Sequence, residues 1–440
     1  MAGTRDASSP SSRSLHVVVF PWLAFGRMIL FLELSKRLAR RGHAVTFVST
    51  PRNAARLGAI PPDLFPRVRV VTLELPAVEG LPAGAKSTAD VPPEKVELLK
   101  VAFDGLAAPF AAPCRWPHGW RRRGRRIACA MFLILPAALL AYVGTKQSNE
   151  VHSRRTTEDY MAQPPWVPFP STLFYRRHEA EAIAAAFRPN ASGVSDMDRL
   201  MQLHRPSCRL VPVVPAGLLL PGDAEDDDAQ PGGGDQPFVA AARWLDEQPR
   251  RSVIYVALGS EAPVTVGHIR ELAIGLELSG ARFLLALRAP GGRTPAALLP
   301  DGFEQRVAGR GVVLAGWVAQ VRVLAHAAVG AFLTHCGWGS TVEGLFRFGH
   351  PLVMLPFVAD QGLVARAMAA RGVGVEVPRD EDGGGSFRGA DVAAAVKRVM
   401  AGEEGEEMAR KARELREVVG DRVRQERYVD ELVQLLRRYK

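Results

Sequence analysis

The sequence predicts an α/β protein of two domains, each built on a parallel sheet. Short apolar strands alternate with amphipathic helices along most of the chain, the order that parallel sheets require. One acidic, Gly/Pro-rich stretch, "PGDAEDDDAQPGGGDQP" (Pro221 to Pro237), interrupts that alternation near the middle. Several strands end in tight turns of Gly, Ser or His, the composition expected where strand ends face a ligand crevice.

Taken in order, residues 1–14 are polar and Ser-rich without an apolar core, which predicts a disordered tail and no secretory signal. "LHVVVF" (Leu15 to Phe20) reads as the first strand, "PWLAFGR" as a turn, and the following residues as a helix with apolar spacing at Phe31, Leu32, Leu34 and Leu38. "HAVTFVST" and "VRVVTLEL" supply further strands. "IACAMFLILPAALLAYVG" (Ile127 to Gly144) carries 18 residues without charge behind an arginine cluster. Its central Pro136, its many alanines and its minimal length predict a buried strand running into a buried helix of the N-terminal domain rather than a membrane span.

The first domain is expected over residues 15–220, the linker over 221–237 and the second domain over 238–440, with the last helix packing back on the first domain. In the second domain, "RSVIYVALGS", "RFLLALR", "GVVLAGW", "GAFLTHCG", "PLVMLPF" and "GVGVEV" read as strands, and "HIRELAIGLELSG" as a helix.

The net charge of +10 comes in large part from six arginines at 115, 121, 122, 123, 125 and 126. Elsewhere basic and acidic residues alternate on helices such as "EEGEEMARKARELREVV", a solvated-face pattern, and no aromatic-interleaved basic stripe is present. Nucleic acid is therefore not an expected partner. Four cysteines without a CxxC pair suit a reducing compartment, here the cytoplasm. The "DDD" within the linker lacks the rigid strand-end presentation that a metal site needs, so no metal is expected.

Residues Trp317 to Gln361 carry the chemical signal: "WVAQVRVLAHAAVGAFLTHCGWGSTVEGLFRFGHPLVMLPFVADQ". "GAFLTHCGWGSTVE" reads as a strand that breaks at His335-Cys336-Gly337 and opens a helix at Gly339-Ser340-Thr341. Free backbone N–H groups and the positive dipole end make such a start suited to an anion. Ser260 ends another strand in a Gly-Ser turn. Trp317 could stack a flat base, Glu343 could accept from ribose hydroxyls, and Asp360-Gln361 offers paired polar groups for sugar hydroxyls. Singly, each residue type is more common in a structural role; the ordered combination carries the inference.

That combination resembles the nucleotide-sugar signature box of plant family 1 UDP-glycosyltransferases, through Trp317, Gln320, His335, Gly337, Trp338, Ser340, Glu343, Pro351, Asp360 and Gln361. "LSKRLARRGHAVTFVSTPRN", "MAQPPWVPFPST" and "RWLDEQPRRSVIYVALGS" extend the resemblance over nearly the whole chain. It is most similar to the branch that extends sugars of flavonoid or terpenoid glycosides. The resemblance implies two facing Rossmann-like domains (GT-B type), the first one shortened here. It also implies a UDP-sugar co-substrate without further cofactor, a small-molecule glycoside acceptor and a monomer. Trp317 would stack uracil, with Gln320 and Glu343 toward the ribose. His335, Ser340 and the Gly339 backbone would hold the diphosphate, alongside Ser260. Trp338, Asp360 and Gln361 would address the hexose, glucose being the leading choice because a terminal Gln usually accompanies it. Gly339 stands where many relatives have Asn. The box is one residue longer than usual within "EGLFRFGHP", which predicts a bulge at the helix end.

The family's reaction is an inverting displacement, in which a His in the turn after the first strand removes the acceptor proton and an Asp orients that His. Position 27 matches the His and holds Arg, which stays protonated and has no acceptor lone pair. The Asp is missing too: Pro113 to Arg126 fills its place, and no carboxylate lies between Asp104 and Glu150. The segment Ser207 to Leu220 also skips a strand, loop and helix found in relatives. Two readings follow: a UDP-hexosyltransferase lacking an intact catalytic pair, or a noncatalytic UDP-sugar-binding pseudoenzyme or product of a damaged gene.

Overall fold

The computed structural model describes residues 14–57, 60–91, 95–111, 130, 132–196, 198–199, 214–219, 235–259, 262–287, 294–316, 318–381 and 384–438. Residues 1–13 of the tail expected at 1–14, the basic stretch at 113–126, Ser260 and Trp317 lie outside them.

Two parallel sheets organise the chain. The first orders β1 (His16–Val19), β2 (Ala44–Ser49) and β3 (Val68–Thr72) side by side, with His16 opposite Ala44 and Val45 opposite Val68. The second contains β4 (Val253–Ala257), β5 (Arg282–Leu287), β6 (Gly311–Ala315), β7 (Val329–Thr334), β8 (Leu352–Met354) and β9 (Gly374–Glu376) in the order β6-β5-β4-β7-β8-β9. The strands match the apolar runs of the sequence because both faces of the sheet are covered. In β4, Val253, Tyr255 and Ala257 enter one core while Ile254 and Val256 enter the other.

The helices that bear on the site are α1 (Phe25–Arg40), α2 (Ala137–Val143), α3 (Arg177–Ala185), α4 (Val266–Ser279), α5 (Gln320–Ala325), α6 (Trp338–Thr341), α7 (Gln361–Ala369), α8 (Gly389–Met400), α9 (Gly402–Val419) and α10 (Arg422–Arg438). α4 and α8 pack so closely that a methyl on Gly275 would lie 2.8 Å from the Gly389 carbonyl oxygen. α10 returns to the first sheet: Val429, Leu432 and Val433 join the core of β1, β2 and α1. Arg41 clamps it from α1's end, 2.6 Å from Asp430 and 2.7 Å from Glu426.

Two expectations are corrected. The apolar run before Pro136 forms no strand in its described part; residues 132–135 lack regular structure. Phe132 and Ile134 bury against the first core without a ladder partner, and Phe132 meets Phe31 of α1 edge-on at 5.6 Å. The helix that follows, α2, is not part of the first sheet's core. Its buried Leu139 and Tyr142 belong to the cluster under the second sheet, beside Leu363 and Val364 of α7. The apolar run is thus divided between both halves. Among the described residues no helix is long and apolar enough to cross a membrane.

A smaller difference concerns the stretch before β4. Helix Asp235–Asp246 begins within the segment expected to be linker, with Pro237 in its first turn, where a missing N–H costs nothing.

Candidate functional site: a cleft at the carboxyl ends of the second sheet

Strand order reverses between β4 and β7, the switch point beyond whose carboxyl ends doubly wound sheets bind ligands. The chain leaving β4 passes through Gly259 at φ +69° and the chain leaving β7 passes through His335. The two meet directly: a methyl on Gly259 would lie 2.5 Å from His335 Cε1. Gly337 is equally intolerant, its missing methyl being directed at His335 Nε2. A side chain at either glycine would therefore displace the imidazole.

Burial pushes the His335 pKa down to about 4, so the ring is neutral at pH 7. Its Nδ1 is buried without a hydrogen-bond partner. A neutral imidazole held in this way can donate one N–H to an anion without carrying charge of its own.

Backbone strain gathers at the same place. Among the described residues, Arg251, Cys336 and Ala359 are the non-glycine residues at positive φ, and the latter two, at 63° and 54°, flank His335 and Asp360. A conformation of this kind costs about 1–3 kcal/mol and persists where surrounding packing over-determines it, commonly at functional sites. Here Cys336 is fully buried, and its N–H donates to Thr334 Oγ1 at 3.2 Å.

After the break, Gly337 caps α6, and Val342–Arg347 continues it as a π-helical turn. This is where the resemblance puts one residue more than the family's box has, and a π turn is how a helix absorbs one. Glu343 is the second residue of that turn. Gln320, the first residue of α5, donates from Nε2 to Glu343 Oε2 at 2.6 Å and lies 3.5 Å from Ser340 Oγ. Three residues expected at the nucleotide thus form one cluster.

Gly339 has open space: a Cβ there would meet nothing within 4 Å. Gly339→Asn is accordingly expected to fold normally and to tighten UDP binding about threefold, the worth of one modest hydrogen bond, as read by calorimetry.

The residues expected at the hexose are placed less uniformly. Asp360 and Gln361 open α7. The Gln361 side-chain carbonyl accepts from the Phe357 and Val358 N–H groups at 2.9 and 3.1 Å, which leaves its amide nitrogen for a sugar hydroxyl. Trp338 packs edge-on against Phe346, with ring centres 5.5 Å apart. Its ring thus rests on the core beneath the second sheet.

Arg27 lies exposed in the first turn of α1, where its N–H bonds to Ala24 O. No acidic residue and no side-chain cap occupies that turn, and a cation there opposes the helix dipole. α1 touches α6, the short helix that follows the broken strand of the second sheet.

A profile described as "UDP-glucoronosyl and UDP-glucosyl transferase" matches residues 239–415, the part of the chain that builds this cleft. UDP-glycosyltransferase 91C1 of Arabidopsis thaliana is 39% identical, over 96% of this chain and 96% of its own. The chain belongs to the UDP-glycosyltransferases. Soyasaponin III rhamnosyltransferase of Glycine max is 33% identical over 98% of this chain and 97% of its own. Among solved structures, the Glycyrrhiza uralensis enzyme UGT73P12, complexed with glycyrrhetinic acid 3-O-monoglucuronide, matches with a TM-score of 0.72 at 21% identity, covering 97% of this chain and 96% of that one. Arabidopsis thaliana UGT89C1 complexed with UDP-L-rhamnose matches at 0.63 and 24%, covering 97% and 100%. These likenesses establish the two-domain GT-B architecture for this UDP-glycosyltransferase. Its alignment with the 91C1 relative spans 462 positions, more than its own 440 residues, so it skips positions that the relative has.

Sequence reasoning missed one group. Glu179 of α3 reaches Arg366 of α7 at 2.5 Å, across 187 positions of sequence. Its only local signal is the capping-box spacing from Arg176, whose N–H bonds to Glu179 Oε2 at 2.9 Å.

Proposed function

We propose that this UDP-glycosyltransferase holds a UDP-hexose, UDP-glucose first, in the second-sheet cleft and delivers the hexose to a hydroxyl of a small glycoside at a greatly reduced rate. The observation that carries the donor half of this reading is the His335 ring packed against Gly259 and Gly337 beside the Gln320–Ser340–Glu343 cluster. In this assignment His335 and the start of α6 take the diphosphate, Gln320 and Glu343 the ribose, and Asp360 with the Gln361 amide the sugar. Trp317 and Ser260 complete the site from the resemblance alone. The soyasaponin relative and the two xylosyltransferases acting on anthocyanidin-type glycosides are named for sugar transfer to glycosides, which supports a glycoside acceptor here.

In the reaction, the acceptor oxygen attacks the anomeric carbon, the carbon–oxygen bond to UDP breaks, and the configuration inverts. The acceptor proton must go elsewhere. Arg27 has no lone pair to take it, so the proton passes to solvent water without a positioned base. A second reading, a binding protein with no transfer at all, draws on the same residue: a guanidinium near the donor phosphates would hold them rather than release UDP.

Binding is the direct test. UDP is expected to bind the folded protein and raise its melting temperature, as a native-state ligand does. Glu343→Ala should weaken UDP binding about tenfold or more by removing a charged acceptor. Calorimetry that detects no UDP binding to folded protein would overturn the assignment of the cleft.

A further inference from the structure

The first turn of α7 presents Asp360 and Gln361, and one residue later comes Gly362. A methyl at Gly362 would collide with the Glu179 carboxylate and with the Arg366 guanidinium. Glu179 comes from α3, in the other half of the sequence, and is 7% exposed. One of its oxygens, Oε2, accepts from Arg176 N and from Arg366 Nη2. The other, Oε1, is buried without a hydrogen-bond partner and rests on Gly362.

This contact is braced by further charges of alternating sign. Arg366 also approaches Glu376 of β9 at 3.4 Å, and Arg176 pairs with Glu376 at 3.1 Å. The side chains of Glu179, Arg366 and Glu376 are 6%, 12% and 8% exposed, so solvent screens them little. Tyr175, one residue before Arg176, lies within the field of Asp360. Burial, and after it the Asp360 charge, pushes its phenol pKa up. The segment 175–179 therefore lies along the turn that carries the proposed sugar contacts. A carboxylate at the start of α7 also complements the positive end of that helix.

We infer that Glu179 is a positioning residue for the donor sugar. Its carboxylate, wedged on Gly362 and tied to Arg366, sets the first turn of α7 and thereby aims Asp360 and Gln361 at the transferred hexose. Gly362 lacks a side chain because the wedge occupies that space. This inference rests on the proposed placement of the sugar at Asp360 and Gln361; the nucleotide contacts at Gln320, Ser340 and Glu343 lie outside the wedge.

The experiment compares UDP with UDP-glucose by calorimetry on the full chain. Glu179→Gln keeps the size of the side chain and removes its charge. It is expected to leave the Kd for UDP within about twofold and to raise the ratio of the UDP-glucose Kd to the UDP Kd about tenfold, the loss of one well-made polar contact. Gly362→Ala should raise the same ratio. The pair Glu179→Ala/Gly362→Ala should be no worse than Glu179→Ala alone, because the first change vacates the space the second needs. A merely structural role would weaken both ligands together and give additive effects. An unchanged ratio in Glu179→Gln, or equal losses for UDP and UDP-glucose, overturns the inference while the cleft assignment stands. A parent protein that binds neither ligand overturns both.

Discussion

Given UDP-glucose and a panel of flavonoid and terpenoid glycosides, the protein is expected to transfer hexose about 10²–10⁴-fold more slowly than a family member that carries the histidine base. That factor is what a positioned general base contributes, roughly 3–5 kcal/mol of barrier. The missing Asp adds little to the loss, since an orienting group acts only through the base it orients. Arg27→His alone should restore little: no carboxylate lies between Asp104 and Glu150 to hold the new imidazole in its tautomer. Loss of transfer should coexist with UDP binding, because the residues proposed to hold the donor sit on the second sheet and do not depend on residue 27. Steady-state assays of the parent and of Arg27→His, under saturating UDP-glucose, decide the matter. Ordinary turnover by the parent would mean that another group takes the proton.

Acid should destabilise the protein sooner than carboxylate protonation would by itself. His335 and His350 are both held to a pKa of about 4 by burial, against 6.5 for the exposed side chain. The folded state thus resists protonation that the unfolded chain accepts. Stability from each neutral histidine is fully present above pH 6.5 and is lost progressively as pH falls toward 4. At pH 5 the loss is about 2 kcal/mol for each ring, since one pKa unit corresponds to about 1.4 kcal/mol. Burial shifts His16, His178 and His268 in the same direction. His350 can be tested without touching the cleft: its Nε2 lies 2.7 Å from Leu324 O, and Gln can donate to the same carbonyl. Denaturant titrations at pH 7 and pH 5 should show a smaller pH-dependent loss for His350→Gln than for the parent. Equal losses would show that this ring does not carry the acid sensitivity.

Most strands and the amphipathic helices α1, α4 and α9 were legible in the sequence because their causes are local. A run such as Val253–Ala257 has no charged residue to place in water, so it fits best where both faces are covered. The bulge expected in "EGLFRFGHP" came from the resemblance, whose box is one residue shorter, and Val342–Arg347 forms a π turn there. The run at 127–144 misled because its composition states only that apolar area must be buried. Which surface buries it depends on what other segments leave open, and Leu139 and Tyr142 found the second half of the molecule.

By itself the sequence determined the α/β class, the order of the residues proposed to hold the donor and the chemistry of position 27, because side-chain identity and short-range spacing decide those. A guanidinium cannot accept a proton wherever the fold places it. Only the tertiary structure decided that His335 is packed against Gly259 and Gly337 and pushed down to a pKa of about 4. It alone brought Gln320 onto Glu343 and set Glu179 on Gly362. These contacts join residues whose separation along the chain has no energetic consequence until strand order and helix packing close the distance. Burial then makes each of them strong, because a charge or ring removed from water must take its partners from whatever the fold has placed beside it.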